Sequence, residues 1–277
     1  MKMLVVGVAL TLVACPAFAA IEYEFVQTNR MPNSATPTSD FSAKAVIDGT
    51  RSRVDFRSGN AFPPGTYVLS TDGARRLRFV DPKQKAYTEM NTLGIASAIG
   101  SSDITIANLK HDIIRLPETQ IIAGIPAEHY RQTIAYTITV RFGSMPLTQN
   151  VRTEIDKWTT NRFGDITDAL GTNRIQTGNA EIDEIIAAET SKIRGFPLKQ
   201  TIRITTTDAN AVRRASQSEL KLPSSRTRTR EMTVTSIRET KPDESMFTVP
   251  AEYKRNDFAE RAHKSQMQVL SMEPAGE

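Results

Sequence analysis

Cysteine and tryptophan are nearly absent: the 277 residues contain one of each, Cys15 and Trp158. A single cysteine excludes an internal disulfide, and three scattered histidines leave no zinc-binding pattern. After the amino terminus, no stretch approaches 18 continuous apolar residues, which excludes a membrane-spanning helix there. The net charge of +4, from 35 basic and 31 acidic residues, is too small to indicate a nucleic-acid partner.

Catalytic motifs are also missing. The sequence has no G-x-S-x-G, P-loop or G-x-G-x-x-G pattern. Glu154 and Asp156 fall on one face of a predicted strand beside Arg152, and we interpret them as a solvated face. The sequence therefore predicts no metal, no cofactor and no catalytic residue, although an active site assembled from distant residues stays open as an alternative.

The first 19 residues have the form of a secretory signal. Lys2 gives the positive start, positions 4–14 form the apolar stretch, and Ala17-Phe18-Ala19 is a small-x-small cleavage site. Cleavage between Ala19 and Ala20 would place the protein in the periplasm or outside the cell.

A lipoprotein signal is the alternative, because Leu12-Val13-Ala14-Cys15 resembles a lipobox. Cys15 would then carry a lipid and anchor the chain. Against this, Pro16 follows directly, and the strand pattern that starts at Ile21 leaves almost no tether. An ordinary signal peptide is the favoured interpretation.

The remainder alternates apolar and polar residues with the period of β-strands. The predicted strands cover 21–25, 41–47, 53–57, 67–69, 77–79, 86–88, 130–142, 148–158, 199–207, 211–221, 231–238 and 245–249. The strand 130–142 is the longest, at about 43 Å for about 3.3 Å per residue, which suits a large curved sheet. Its apolar face consists of Tyr130, Ile134, Tyr136, Ile138, Val140 and Phe142.

One helix is predicted over 180–193, capped by Asn179 and stopped by Gly195. Ile182, Ile185 and Ile186 share its apolar face. It belongs to a helical insertion around 163–195, and shorter helices are predicted over 93–99 and 165–170. Residues 20–255 then form one domain, followed by a polar tail over 256–277. Many strands with few helices predict a strand-dominated α+β fold, in which helices pack on one face of a curved antiparallel sheet or barrel.

Five short motifs occur in order between residues 45 and 255. They are Ile47–Asp55 (IDGTRSRVD), Thr71–Gly73 with Val80–Tyr87 (TDG and VDPKQKAY), Ile122–Tyr130 (IAGIPAEHY), Gly195–Lys199 (GFPLK) and Met246–Lys254 (MFTVPAEYK). Together they resemble the periplasmic LolA/LolB-like lipoprotein-carrier superfamily, and most of all its uncharacterised outer-membrane lipoprotein-sorting-like relatives. The arginine with which LolA-type carriers control lipid release has no identifiable counterpart, so lipoprotein transport itself is not carried over.

The resemblance implies an unclosed half-barrel with helices across its concave face and an apolar interior that holds acyl chains or other hydrophobic ligands. The candidate cavity combines the apolar face of 130–142 with Trp158, Ile182, Ile185 and Ile186. Each of these has a second interpretation as ordinary core, and a lone tryptophan at a strand end is typical of a core anchor.

Arg226, Arg228 and Arg230 recur with period two, so a strand would place them on one face. The first interpretation is a charged sheet edge that prevents aggregation. The alternative is a contact for anionic lipid headgroups.

These observations predict a non-catalytic periplasmic binding or carrier protein for a lipid, an acyl chain or a lipidated envelope partner. The alternative is an envelope interaction or sensor module on the same scaffold, and an enzyme is a further one. The expected partners are a lipid or lipidated protein and an envelope protein, with no nucleic acid and no transmembrane span in the mature chain.

Overall fold

A computed structural model describes residues 20–31, 39–91, 103–142, 145–164, 166, 179–190, 193–209 and 225–256. Several predictions fall outside these residues. They are the signal peptide with Cys15, the helix 93–99, almost all of the helix 165–170, the strand 211–221 and the tail beyond 256.

Twelve strands and one α-helix make up the described fold. The strands are β1 (Ala20–Arg30), β2 (Phe41–Asp48), β3 (Arg51–Gly59), β4 (Tyr67–Ser70), β5 (Arg76–Asp81), β6 (Ala86–Asn91), β7 (Ile104–Ile122), β8 (Ile125–Phe142), β9 (Met145–Thr160), β10 (Phe196–Asp208), β11 (Ser225–Thr240) and β12 (Lys254–Asn256). The helix α1 spans Ala180–Thr190, and two 3₁₀ helices span Asn161–Phe163 and Glu244–Phe247. Neither α1 nor the 3₁₀ helices have the length and hydropathy needed to cross a membrane.

All twelve strands belong to one sheet, in the order β12-β6-β5-β4-β3-β2-β1-β11-β10-β9-β8-β7. Every neighbouring pair is antiparallel except β12 with β6. The terminal strands β12 and β7 do not pair with each other, so the sheet stays unclosed. This confirms the predicted class, a strand-dominated α+β half-barrel.

The main hydrophobic core lies on one face of this sheet, which we call the inner face. The register places Phe25 of β1 beside Ala43 of β2 and Val234 of β11, and Ala43 beside Phe56 of β3. All four side chains are buried. Phe56 stacks on Phe62 with ring centroids 4.0 Å apart, so aromatic packing adds to the area buried on this face. A smaller cluster of Tyr67, Leu69 and Val80 lies on the opposite face, because Tyr67 and Leu69 alternate with Val68 along β4.

The strand β7 was not predicted, because its sequence does not alternate. The pairing with β8 is irregular between Ala107 and Lys110 and again between Arg115 and Thr119. Each irregularity adds residues to one strand only and changes which residues face the core. Asn108, in the first irregularity, has φ +57°, a left-handed conformation that asparagine tolerates.

Other element boundaries also differ from the predictions. The segment predicted as a strand over 245–249 is instead a 3₁₀ helix, Glu244–Phe247. The carboxylate of Asp243 accepts a hydrogen bond from the Ser245 amide at 2.8 Å, which favours a turn over an extended chain. The described helix α1 spans Ala180–Thr190, and Ile193, the predicted last residue, is not helical. The strands β8, β9 and β11 begin three to six residues earlier than predicted, at Ile125, Met145 and Ser225.

Candidate functional site

The long apolar face of β8 lies on the inner face of the sheet. The β8–β9 pairing has no irregularity, so Tyr130, Ile134, Tyr136, Ile138 and Val140 share one face as predicted. Phe142 has the same register, but its side chain lies outside the described residues. Burial changes along the face, because Ile134 is 0% exposed while Tyr136 and Ile138 are only partly buried.

Neighbouring strands extend this face sideways. Val151 of β9 lies beside Tyr136, and Ile204 of β10 is on the same face through its pairing with Thr153. The partly buried apolar side chains together form what we call the apolar trough, which consists of Tyr136, Ile138, Val151, Ile202 and Ile204. The trough continues the inner face beyond the packed core.

The helix α1 covers the inner face beside the trough. The side-chain amide of Gln132, on the inner face of β8, donates a hydrogen bond to the carbonyl oxygen of Ala188. At the other end of α1, the Glu181 carboxylate accepts a hydrogen bond from the Ile106 amide of β7 at 2.5 Å. Ile185 is buried, so the helix rests its apolar side on β7 and β8, as the prediction of a helix on the concave face requires.

The start of α1 follows the predicted cap. The Asn179 side-chain oxygen accepts hydrogen bonds from the amides of Glu181 and Ile182 at 3.0 and 3.2 Å. These amides have no partner within the helix, so the cap stabilises its first turn. Ile182 and Ile186 are partly buried, which places the three predicted isoleucines of α1 at or near its contact with the sheet.

Trp158 is not brought together with the trough. It is three residues from Ile155 on β9, and the alternation of a strand places residues at this spacing on opposite faces. Its indole stacks on the His129 ring with centroids 4.1 Å apart and an interplanar angle of 7°. The β9–β10 pairing is irregular between Pro197 and Lys199, opposite Trp158, and at this irregularity the partly buried indole packs against the main core cluster, which is the position of a core anchor.

The three arginines lie on β11, which is an internal strand of the sheet order. The strand β11 runs between β1 and β10, but its pairing with β1 ends at Thr229, so Arg230 has a strand on both sides whereas Arg226 and Arg228 pair with β10 alone among the described residues. The interpretation as a charged edge is therefore wrong for Arg230 and stays open for the other two. Sequence alone could not decide this, because strand order depends on pairing between distant segments. The arginines share a face with Val234, which is 1% exposed, since no irregularity interrupts β11 between 225 and 234. They therefore stand on the inner face, and we call them the arginine row.

Each arginine is also the first member of a cross-strand row, which is a line of side chains that runs across the strands and not along β11. Arg230 continues through Ile202, Ile155 and Gln132, and Arg228 through Ile204, Thr153 and Ile134, whereas Arg226 continues through Thr206, Val151 and Tyr136. In the first two rows the isoleucine beside the arginine is partly buried, and the next two residues are buried. Polarity and exposure thus fall together from β11 towards the helix.

The arginine row lacks the carboxylate partners that other strand arginines have. On the outer face, Arg131 pairs with Asp156 at 3.0 Å, and Arg152 and Arg203 reach Glu154 at 3.0 and 3.5 Å. None of the described residues forms an ion pair or side-chain hydrogen bond with Arg226, Arg228 or Arg230, and all three are exposed. Their cross-strand neighbours on β10 are Thr206, Ile204 and Ile202, none of which is acidic.

The outer face carries a depression of about 360 Å³, to whose lining the trough residues Tyr136 and Val151 also contribute. Asn108 donates to the Thr137 hydroxyl at 3.4 Å, and that hydroxyl donates to Asn150 at 3.0 Å. These groups satisfy one another, and Lys110 and Arg152 are at the same site. The described residues contain no cluster of three or more side chains suited to a metal ion.

No family model matches the sequence, and no curated protein matches it. Among solved structures, the protein is similar to a LolA superfamily protein from Nitrosomonas europaea, with 12% identity and a TM-score of 0.31 over 83% of this chain and 90% of that one. It is also similar to the protein PNGF-II, with 11% identity and a TM-score of 0.33 over 90% of this chain. This chain spans 33% of PNGF-II. At these identities and TM-scores, neither similarity assigns the chain to a family.

Proposed function

We propose that this protein is a non-catalytic binding or carrier protein for a lipid, an acyl chain or a lipidated envelope partner. The observation that carries the proposal is the apolar trough, a set of partly buried apolar side chains beside the helix α1 on the inner face of an unclosed sheet. A bound acyl chain would remove this apolar surface from water at about 25 cal/mol per Å². The order of the five motifs in the sequence resembles lipoprotein carriers and supports the same ligand class.

The proposed location is the periplasm or the cell exterior, reached through the signal peptide 1–19, with a Cys15-anchored lipoprotein as the alternative. In either case the trough would meet lipids and lipidated proteins of the envelope. The hydrogen bonds that Gln132 and Glu181 make hold α1 at both ends. A ligand would therefore enter from the side of β9 and β10, with α1 as one wall.

The direct test is to purify the exported protein, extract it with organic solvent and identify bound lipids by mass spectrometry. The delipidated protein should then bind a fluorescent fatty acid with a saturable, one-site isotherm. A reproducibly empty protein that also fails to bind the fatty acid would overturn the proposal.

A second candidate is an envelope interaction or sensor module, and it is favoured by exposed apolar residues on β7. Ile114 is 44% and Ile121 is 73% exposed, on a strand whose second edge pairs with no other strand in the described part of the chain. A photo-crosslinker at position 121 should then give a discrete adduct in cells. The same probe at Val26, which is 42% exposed on β1, is the control, because β1 is paired on both edges.

A further inference from the structure

The arginine row and the apolar trough are adjacent parts of one surface. Arg228 and Ile204 are direct cross-strand partners, as are Arg230 and Ile202. Neighbouring strands lie about 4.8 Å apart, and alternate residues of one strand about 6.7 Å apart. The row therefore places three guanidinium groups along about 13 Å of β11, one strand away from the isoleucines.

We propose that the ligand is an anionic amphiphile, whose acidic group the arginine row binds while an acyl chain occupies the apolar trough. This deepens the proposed function, on which it rests, by adding the charge of the ligand. Guanidinium groups bind carboxylates and phosphates through paired, charge-assisted hydrogen bonds. The cross-strand rows give the orientation of the ligand, with its acidic group at β11 and its chain towards α1. Along these rows the side chains change from charged to partly buried apolar and then to buried.

The missing partners support a ligand role for the row. Outer-face arginines of the neighbouring strands have carboxylates at 3.0–3.5 Å, whereas the described residues supply none to Arg226, Arg228 or Arg230. Three like charges on one strand repel one another, so a bound anion would relieve a repulsion that the described residues leave uncompensated. A ligand with a neutral or cationic head would leave this repulsion in place.

The test uses three single-chain amphiphiles with the same twelve-carbon tail, all below their micelle concentrations: laurate, dodecyl maltoside and dodecyltrimethylammonium. Calorimetric titration of the delipidated protein should give laurate at least a ten-fold lower Kd than the other two. Added salt should narrow the difference, since it screens exposed charges. The triple variant Arg226→Gln, Arg228→Gln and Arg230→Gln should bind the three compounds with nearly equal Kd.

The matched control is Arg131→Gln, Arg152→Gln and Arg203→Gln, which removes the same charge from the outer face. It should keep the preference for laurate. If the inner triple variant does not fold, judged by circular dichroism, Arg228→Gln alone should lower the preference at least three-fold. Equal binding of all three compounds by the parent protein would overturn this inference and leave the proposed function standing. A preference that survives in the folded inner variant would also overturn it, and failure of every compound to bind would overturn the proposed function as well.

Discussion

The guanidinium of Arg53 lies 3.9 Å from the centroid of the Tyr67 ring. The same side chain forms an ion pair with Asp55 at 2.8 Å and donates a hydrogen bond to the carbonyl oxygen of Met246 at 3.2 Å. Burial raises the pKa of Tyr67 above its ordinary value, so the ring stays neutral under the cation. Arg53 thereby joins β3 and β4 to the carboxyl-terminal 3₁₀ helix.

Replacing Arg53 with alanine should destabilise the protein by about 1–3 kcal/mol, because a partly desolvated cation–π contact and a hydrogen bond to the carbonyl are lost together. Urea denaturation measures the change in the free energy of unfolding. Arg57→Ala, at an exposed position of the same strand, is the control and should stay within about 0.5 kcal/mol of the parent. Equal effects would contradict the joining role.

Gly59→Ala should be more destabilising than Gly49→Ala. At Gly59, with φ +112°, an added Cβ would lie 2.0 Å from the carbonyl oxygen of Asp40, whereas at Gly49, with φ +59°, it would meet nothing within 4 Å. The Gly49 variant should cost about 1 kcal/mol from backbone strain alone. Thermal melts of both variants compare the two costs, and a Gly59 variant as stable as the Gly49 variant would refute the close approach.

Ile134→Ala and Ile138→Ala should separate core from trough. Ile134 is fully buried, so Ile134→Ala should lower the free energy of unfolding by about 2–5 kcal/mol through lost burial and a new cavity. Ile138 is only partly buried, so Ile138→Ala should lower the free energy of unfolding by less, while it weakens fatty-acid binding. Denaturation and binding titrations on both variants decide the matter. A full core cost at both positions, with unchanged binding, would mean that Ile138 is ordinary core.

Acid should destabilise the protein partly through Glu89. A hydrogen bond from Arg78 at 2.9 Å, together with Arg255 at 3.4 Å, outweighs burial and holds the Glu89 pKa below its ordinary 4.5. A lowered folded-state pKa gives stability that is present above pH 4.5 and disappears as the pH falls through the folded value. Glu89→Gln should therefore be less stable than the parent near pH 7 and equally stable at the acid end.

Stability measured from pH 7 to pH 3 tests this, with Glu252→Gln in an exposed turn as the control. The control should follow the parent curve. A Glu89→Gln curve parallel to that of the parent would show that Glu89 contributes nothing to the acid response.

The export signal predicts that the mature chain begins at Ala20. In the structure Ala20 is the first residue of β1, pairs with Thr240 and is buried. Amino-terminal sequencing of material from the periplasm should read Ala20-Ile21-Glu22. An acylated Cys15 would instead establish the lipoprotein alternative, and retention of Met1 would contradict both.

Regular alternation made most of the sheet predictable. The hairpin at Asp48-Gly49 and the strand around Ile138 follow the expected pattern because their pairing is uninterrupted. The strand β7 was missed where Asn108 and Pro117 accompany irregular pairing, since period-two reasoning assumes that every residue has one partner.

The place of a strand in the sheet was harder to predict than which of its side chains share a face. The period of two correctly implied that Arg226, Arg228 and Arg230 would share one face if their segment formed a strand, because that depends only on spacing, but the predicted strand began at 231 and did not include them. Sequence could not assign that face to the inner side or β11 to the middle of the sheet, because both depend on pairing with β1 and β10. For Trp158, spacing alone was sufficient. It lies three residues from Ile155 on β9, and this odd spacing already separates it from the face of the trough.

The two irregularities of β7 affect whether molecules of this protein can aggregate through the edge of the sheet. They divide a 19-residue free edge into uninterrupted stretches, of which the longest, Lys110–Arg115, has six residues and contains three charges. Copying a strand onto another molecule needs a long, flat and uncharged template. Among the described residues this edge is therefore a poor template for fibril growth, and the sheet can stay unclosed without polymerising through β7.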